Sequence, residues 1–71
     1  MILKKDDYTI SEDRQSITIS LRALHRIQAH YSKRACEYYR EDLKVIGVMM
    51  HERAALANDL INLFHEDDEQ K

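Results

Sequence analysis

The sequence predicts a mainly α-helical fold: a short N-terminal β-strand or hairpin followed by an α-helical hairpin, expected to dimerise into a helical bundle. Three observations carry this expectation. The 71 residues contain no Pro and one Gly, which excludes collagen-like, Pro-rich and loop-rich all-β designs. The apolar period changes at Ser20 from two residues to about 3.6. Beyond Leu43 the apolar residues cover roughly half of a helix circumference, more than one short neighbouring helix can bury. A chain of this length buries only about 60% of the surface its unfolded form exposes. A monomeric core is therefore marginal, and a second copy is the usual remedy. One domain spans 1–71, divided into an extended arm or β-hairpin (1–19), a basic amphipathic helix (20–40), an apolar helix (42–65) and an acidic frayed tail (66–71).

In the arm, Ser16-Ile17-Thr18-Ile19-Ser20 alternates polar and β-branched apolar residues, the pattern of a half-buried strand. Tyr8-Thr9-Ile10-Ser11 alternates in the same way. The polar run Glu12–Gln15 between them can turn, which would bring Ile10 near Ile17. It lacks the Asn-Gly or Asp-Gly pair of a tight hairpin, so an unpaired arm is the other reading. Ser20 is suited to cap the helix that follows. In that helix Leu24, Ile27, Tyr31, Ala35 and Tyr38 form a narrow apolar seam. Arg22, Arg26, His30, Lys33, Glu37 and Arg40 form a second, mainly basic stripe on the opposite side.

The next helix carries Leu43, Val45, Ile46, Met49, Met50, Ala54, Leu56, Ala57, Leu60, Ile61, Leu63 and Phe64 on its broad face. Leu60 is expected in the core, and Ala54 and Ala57 would admit a close neighbour. No Gly or Pro separates the two helices, so one rod of about 67 Å is an alternative to a hairpin. Asp42 favours the hairpin. Continuing the first helix would place a carboxylate on its seam, whereas Asp42 is a good N-cap for a helix starting at Leu43. Arg53 falls within the broad apolar face and needs a carboxylate, from Asp42, Glu37 or a second copy of the chain, or an edge to reach water.

Charge varies along the chain. Residues 1–20 carry −1, residues 21–44 carry +3, residues 45–64 carry −1 and residues 65–71 carry −3, for a net −2. No apolar run reaches the roughly 18 residues of a membrane span. The run Met1–Asp7 has the character of neither a signal nor a transit peptide. The expectation is a cytoplasmic protein without membrane contact.

The residues of catalysis are sparse. His25, His30, His51 and His65 include no pair four apart, and Cys36 is the lone cysteine, so no metal site or disulfide is expected. One glycine cannot build a phosphate-binding loop. No cofactor and no enzymatic activity are expected. The functional expectation is a small protein-interaction module (a regulator, inhibitor or adaptor) acting as a homodimer through its helical surfaces on an unidentified protein partner. Tyr39, Met49 and Met50 are the candidate contacts, the methionines because their side chains adapt to a partner.

The alternative is a dimeric nucleic-acid-binding transcriptional regulator. Arg22, Arg26, His30, Lys33, Arg34, Arg40 and Lys44 could follow a phosphate backbone. The order strand, helix, helix, with Ser16-Ile17-Thr18-Ile19-Ser20 leading into Leu21 and Leu24, resembles the ribbon-helix-helix repressors. That resemblance implies that Ser16, Thr18 and Ser20 face the major groove. The chain departs from the family at the inter-helix turn, Tyr39-Arg40-Glu41-Asp42, where a glycine is usual, and in its longer first helix.

Overall fold

The computed structural model describes residues 2–69. Strands β1 (Tyr8–Ile10) and β2 (Ile17–Ile19) form an antiparallel hairpin, followed by α1 (Leu21–Arg40) and α2 (Lys44–Glu69). The register pairs Tyr8 with Ile19, Thr9 with Thr18 and Ile10 with Ile17. The alternation therefore gives the hairpin two faces. Tyr8, Ile10, Ile17 and Ile19 share one, and Thr9 and Thr18 share the other. The turn needs no Asn-Gly pair, because side chains close it. Asp13 Oδ1 accepts from Ser11 Oγ at 2.5 Å and from the Gln15 amide at 3.0 Å, and the Ser16 amide donates to Ser11 Oγ at 3.1 Å. Those donors hold the Asp13 carboxyl below its ordinary pKa, the Ser11 hydroxyl foremost. Arg14 takes the left-handed position of the turn at φ 57°.

A short 3₁₀ turn, Lys5–Asp7, precedes β1. Asp7 ties three segments together. Its carbonyl accepts from the Ser20 amide at 2.9 Å. Its carboxylate accepts from the Lys4 amide at 2.7 Å and from both terminal nitrogens of Arg26, at 2.5 and 3.3 Å. Arg26 also donates to the Ile2 carbonyl at 3.0 Å. The N-terminal segment is thus strapped to the side of α1, and Arg26 is half-buried in that strap.

Ser20 caps α1, its hydroxyl accepting from the Ala23 amide at 3.2 Å. The helical stretch is a hairpin and not a rod, but Asp42 makes the turn differently from the sequence expectation. It is the left-handed residue of the turn, at φ 62°, and is not the N-cap of α2. The Asp42 amide donates to the Tyr39 carbonyl at 3.1 Å and the Leu43 amide to the Tyr38 carbonyl at 2.8 Å. This pair of bonds is a Schellman motif, whose left-handed site usually holds glycine. An aspartate tolerates that conformation better than most residues do. Leu43 then leads into α2, its carbonyl accepting from the Gly47 amide at 3.0 Å. At the other end α2 runs on to Glu69. Residues 66–69, expected to be frayed, are helical, and residues 70 and 71 of the expected tail lie outside the described residues.

The two helices pack through small residues. From α1, Ala23, Leu24 and Ala35 are buried, with Ile27, Tyr31 and Tyr38 half-buried. From α2 the buried residues are Gly47, Ala54, Ala57 and Ile61, with Met50 half-buried. Positions 47, 50, 54, 57 and 61 alternate steps of three and four, the spacing of one helix face. At Gly47 an added Cβ would lie 2.8 Å from Tyr39 Cε1, so the Tyr39 ring occupies the space a side chain would need. Among the described residues no large side chain is fully buried. Leu60, expected in the core, is 40% exposed, and Ile61 takes the core position instead.

Candidate interaction surface

The broad apolar face of α2 divides into two seams. The inner one, described above, meets α1. The outer one is Ile46, Met49, Arg53, Leu56, Leu60 and Leu63, again in steps of three and four. Each residue of the outer seam but Leu63 precedes an inner-seam residue by one position. That offset rotates the seam by about 100° away from α1. All six are exposed, Leu56 and Leu63 by 62% and 60%. Val45 and Phe64 flank them and are exposed too. A heptad seam of this spacing is what a helix presents to a second helix.

A groove runs between this seam and α1. It is lined by Ile19, Leu24, Ile27, Tyr31, Arg53, Leu56, Ala57 and Leu60, with a volume of about 270 Å³. Its one charge is Arg53. Neither candidate carboxylate within the chain pairs with it: no salt bridge joins Arg53 to Asp42 or Glu37, and Glu37 pairs instead with Arg34 at 3.1 Å. The Arg53 guanidinium lies 5.4 Å from the centre of the Tyr31 ring. Such stacking lets an arginine keep its charge against an aromatic face while its stem covers apolar surface. Tyr31 also meets His30 edge-on at 5.0 Å.

The three candidate contact residues fall in three different places. Met49 belongs to the outer seam. Met50 belongs to the inner seam and is half-buried. Tyr39 packs over Gly47 and still exposes 44% of its surface beside Leu43. Sequence periodicity placed both methionines on one broad face. Separating them requires knowing that the small residues, and not the large ones, meet α1.

The basic residues are also unequal. Arg22, His30, Lys33 and Arg40 are exposed on α1. Arg26 is committed to Asp7 and Ile2. Asp7 raises the Arg26 pKa further, and Arg26 is in turn the main reason the Asp7 carboxyl sits below its ordinary value. Arg34 donates to Tyr38 Oη at 2.8 Å and lies 5.0 Å from that ring's centre. Thr18 stands exposed opposite Thr9, whereas Ser16 lies in the loop before β2 and closes the turn. The Asp7–Arg26 strap had a faint sequence signal, an acidic pair upstream of a basic helix, but nothing in periodicity selects that pairing across nineteen positions.

Cys36 is exposed. Among the described residues no cluster of three or more His, Cys, Asp or Glu is placed to hold a metal ion, and no helix is long and apolar enough to cross a membrane. Comparison with protein-family models, with curated proteins and with solved structures finds no match to this chain.

Proposed function

We propose that the protein is a non-enzymatic interaction module that works as a homodimer and binds another protein through its helical surfaces. The observation that supports this reading is the outer seam of α2: six exposed residues at heptad spacing, five of them large and apolar, of which only Arg53, Leu56 and Leu60 border the groove shared with α1. Such a stripe left in water is an association site or a liability. Self-association uses the outer seam, Met49 included. Tyr39, exposed beside Leu43 at the inter-helix turn, is left for a different protein. Sedimentation equilibrium at micromolar concentration tests the reading, with a dimer expected. An 8.5 kDa species that unfolds cooperatively at every concentration would overturn it.

The nucleic-acid reading competes on different chemistry. It rests on Arg22, His30, Lys33 and Arg40, with Thr18 at the exposed face of β2. Arg26 is already paired with Asp7 and the Ile2 carbonyl within the chain. Phosphate binding would weaken steeply as salt rises, because each neutralised phosphate releases counterions. Weak or absent duplex binding at about 150 mM salt is expected. Sub-micromolar, sequence-selective binding under those conditions would establish the regulator instead.

A further inference from the structure

We infer that α2 pairs antiparallel with α2 of a second copy, about a two-fold axis between residues 54 and 55. This inference rests on the dimer reading above and fixes the orientation and register of that contact.

Area gives the first argument. A compact monomer of 8.5 kDa is expected to expose about 4,700 Å², whereas this chain exposes 6003 Å². The excess, about 1,300 Å², exceeds the roughly 800 Å² that each partner buries in a standard interface. The inner seam cannot supply the missing burial, since its α2 side is built mostly from Gly and Ala.

The pattern of the outer seam gives the second. When helices pair antiparallel, the two alternating seam positions face each other across the contact. Reversing the seam on itself sets Ile46 against the partner's Leu63, Met49 against the partner's Leu60, and Arg53 against the partner's Leu56. All six positions are then used and none is left over. Beyond the layer of Ile46 and the partner's Leu63 the seam ends, because α2 begins at Lys44 and Asp42 lies in the left-handed inter-helix turn. A slip of one heptad would draw Asp67 inward against Met49 and leave Ile46 uncovered.

Charge gives the third. Parallel pairing in register would place Arg53 against the partner's Arg53 in one layer, an unpaired like-charge contact in the interface. The antiparallel arrangement instead lays the Arg53 stem beside the partner's Leu56 while its guanidinium stays on Tyr31. The same arrangement brings Glu52 and the partner's Asp59 alongside one another on the flank of the seam. The contact therefore carries a removable repulsion.

Cysteine pairing reads the register directly. In a Cys36→Ser background, chains carrying Ile46→Cys are mixed with differently tagged chains carrying Leu63→Cys and oxidised. The expected product is the mixed disulfide, with neither variant linking to itself, because like positions lie about 25 Å apart along the axis. Self-linked Ile46→Cys dimers without the mixed product would overturn the orientation while leaving the dimer intact. A monomer by sedimentation in the unmodified chain would remove the dimer reading itself. A second variant avoids cysteine altogether. Asp59→Lys should lower the dimer Kd severalfold by meeting Glu52 across the flank, and an unchanged or higher Kd would overturn the register.

Discussion

Asp7 shows how one buried carboxylate organises this chain. It accepts from the Lys4 amide and from Arg26, and both interactions favour its charged form. Its pKa is lowered on folding, by the Arg26 hydrogen bond first and the Lys4 amide second, against a smaller opposing effect of burial. The unfolded chain therefore takes up this proton more readily than the folded one. The stability the strap confers is fully present above the ordinary carboxylate range, and it disappears as pH falls through the lowered pKa. Asp7→Asn should thus be less stable than the parent at pH 7, with the gap narrowing in acid below the ordinary carboxylate range. Urea melts under the two conditions check this, and a constant gap would show that the carboxylate charge is not involved. Asp42 is the other informative residue. It holds a left-handed conformation that glycine adopts without strain, so Asp42→Gly should stabilise by up to about 1 kcal/mol. A loss of stability in thermal melts would mean that the carboxylate contributes more than the backbone strain costs.

Among the elements, α2 carries the sharpest contrast. Ile61 and Leu60 are adjacent, yet one faces α1 and the other faces outward. Ile61→Ala should destabilise the fold by about 2–4 kcal/mol at any protein concentration, as a large-to-small core change does. Leu60→Ala should act mainly on association, so that its cost shrinks on dilution. Melts at two concentrations separate the two residues, and identical concentration dependence would erase the distinction between seams. The periodicity of α2 made its apolar breadth legible, as the alternation around Ile17 and Ile19 made the hairpin legible. The Ser20 cap was legible for the same local reason. What the sequence left open was decided by contacts between distant segments. No local pattern says that Arg53 stacks on Tyr31, that Asp7 meets Arg26, or that alanines outrank leucines as the partners of α1. Asp42 was recognised as the break, but its left-handed backbone was hidden, because the residue type suits a cap as well as a turn.

For the whole molecule, the candidate site follows from how apolar surface is shared between fold and exterior. The inter-helix seam is lined largely by Gly, Ala and half-buried Tyr, while Val45, Leu56 and Leu63 remain outside. Folding and association should therefore be coupled, with the melting midpoint rising as protein concentration rises. A midpoint independent of concentration over a hundredfold range would contradict that coupling. The basic exterior of α1 is spread over Arg22, Lys33 and Arg40, with Arg26 drawn away, and the net charge is −2. A general polyanion-binding role accordingly has less support than the segment charge of +3 suggested.

The fit of Tyr39 over Gly47 bears on how the two helices keep their places. Glycine and alanine make shallow knobs, and a seam built from them resists sliding less than one built from leucine. The chain has a single glycine, and the Tyr39 ring fills the space its side chain would need. The ring therefore acts as an indexing peg and Gly47 as its notch. Moving α1 by one turn along α2 would bring the peg onto a residue with a Cβ, where it cannot seat. Filling the notch with Gly47→Ala should unseat the ring and cost stability, although alanine is the better helix former by about 1 kcal/mol. Once the peg is gone, in Tyr39→Ala, the same substitution should become stabilising. A double-mutant cycle measures that reversal of sign, and simple additivity would show that the alignment is held elsewhere.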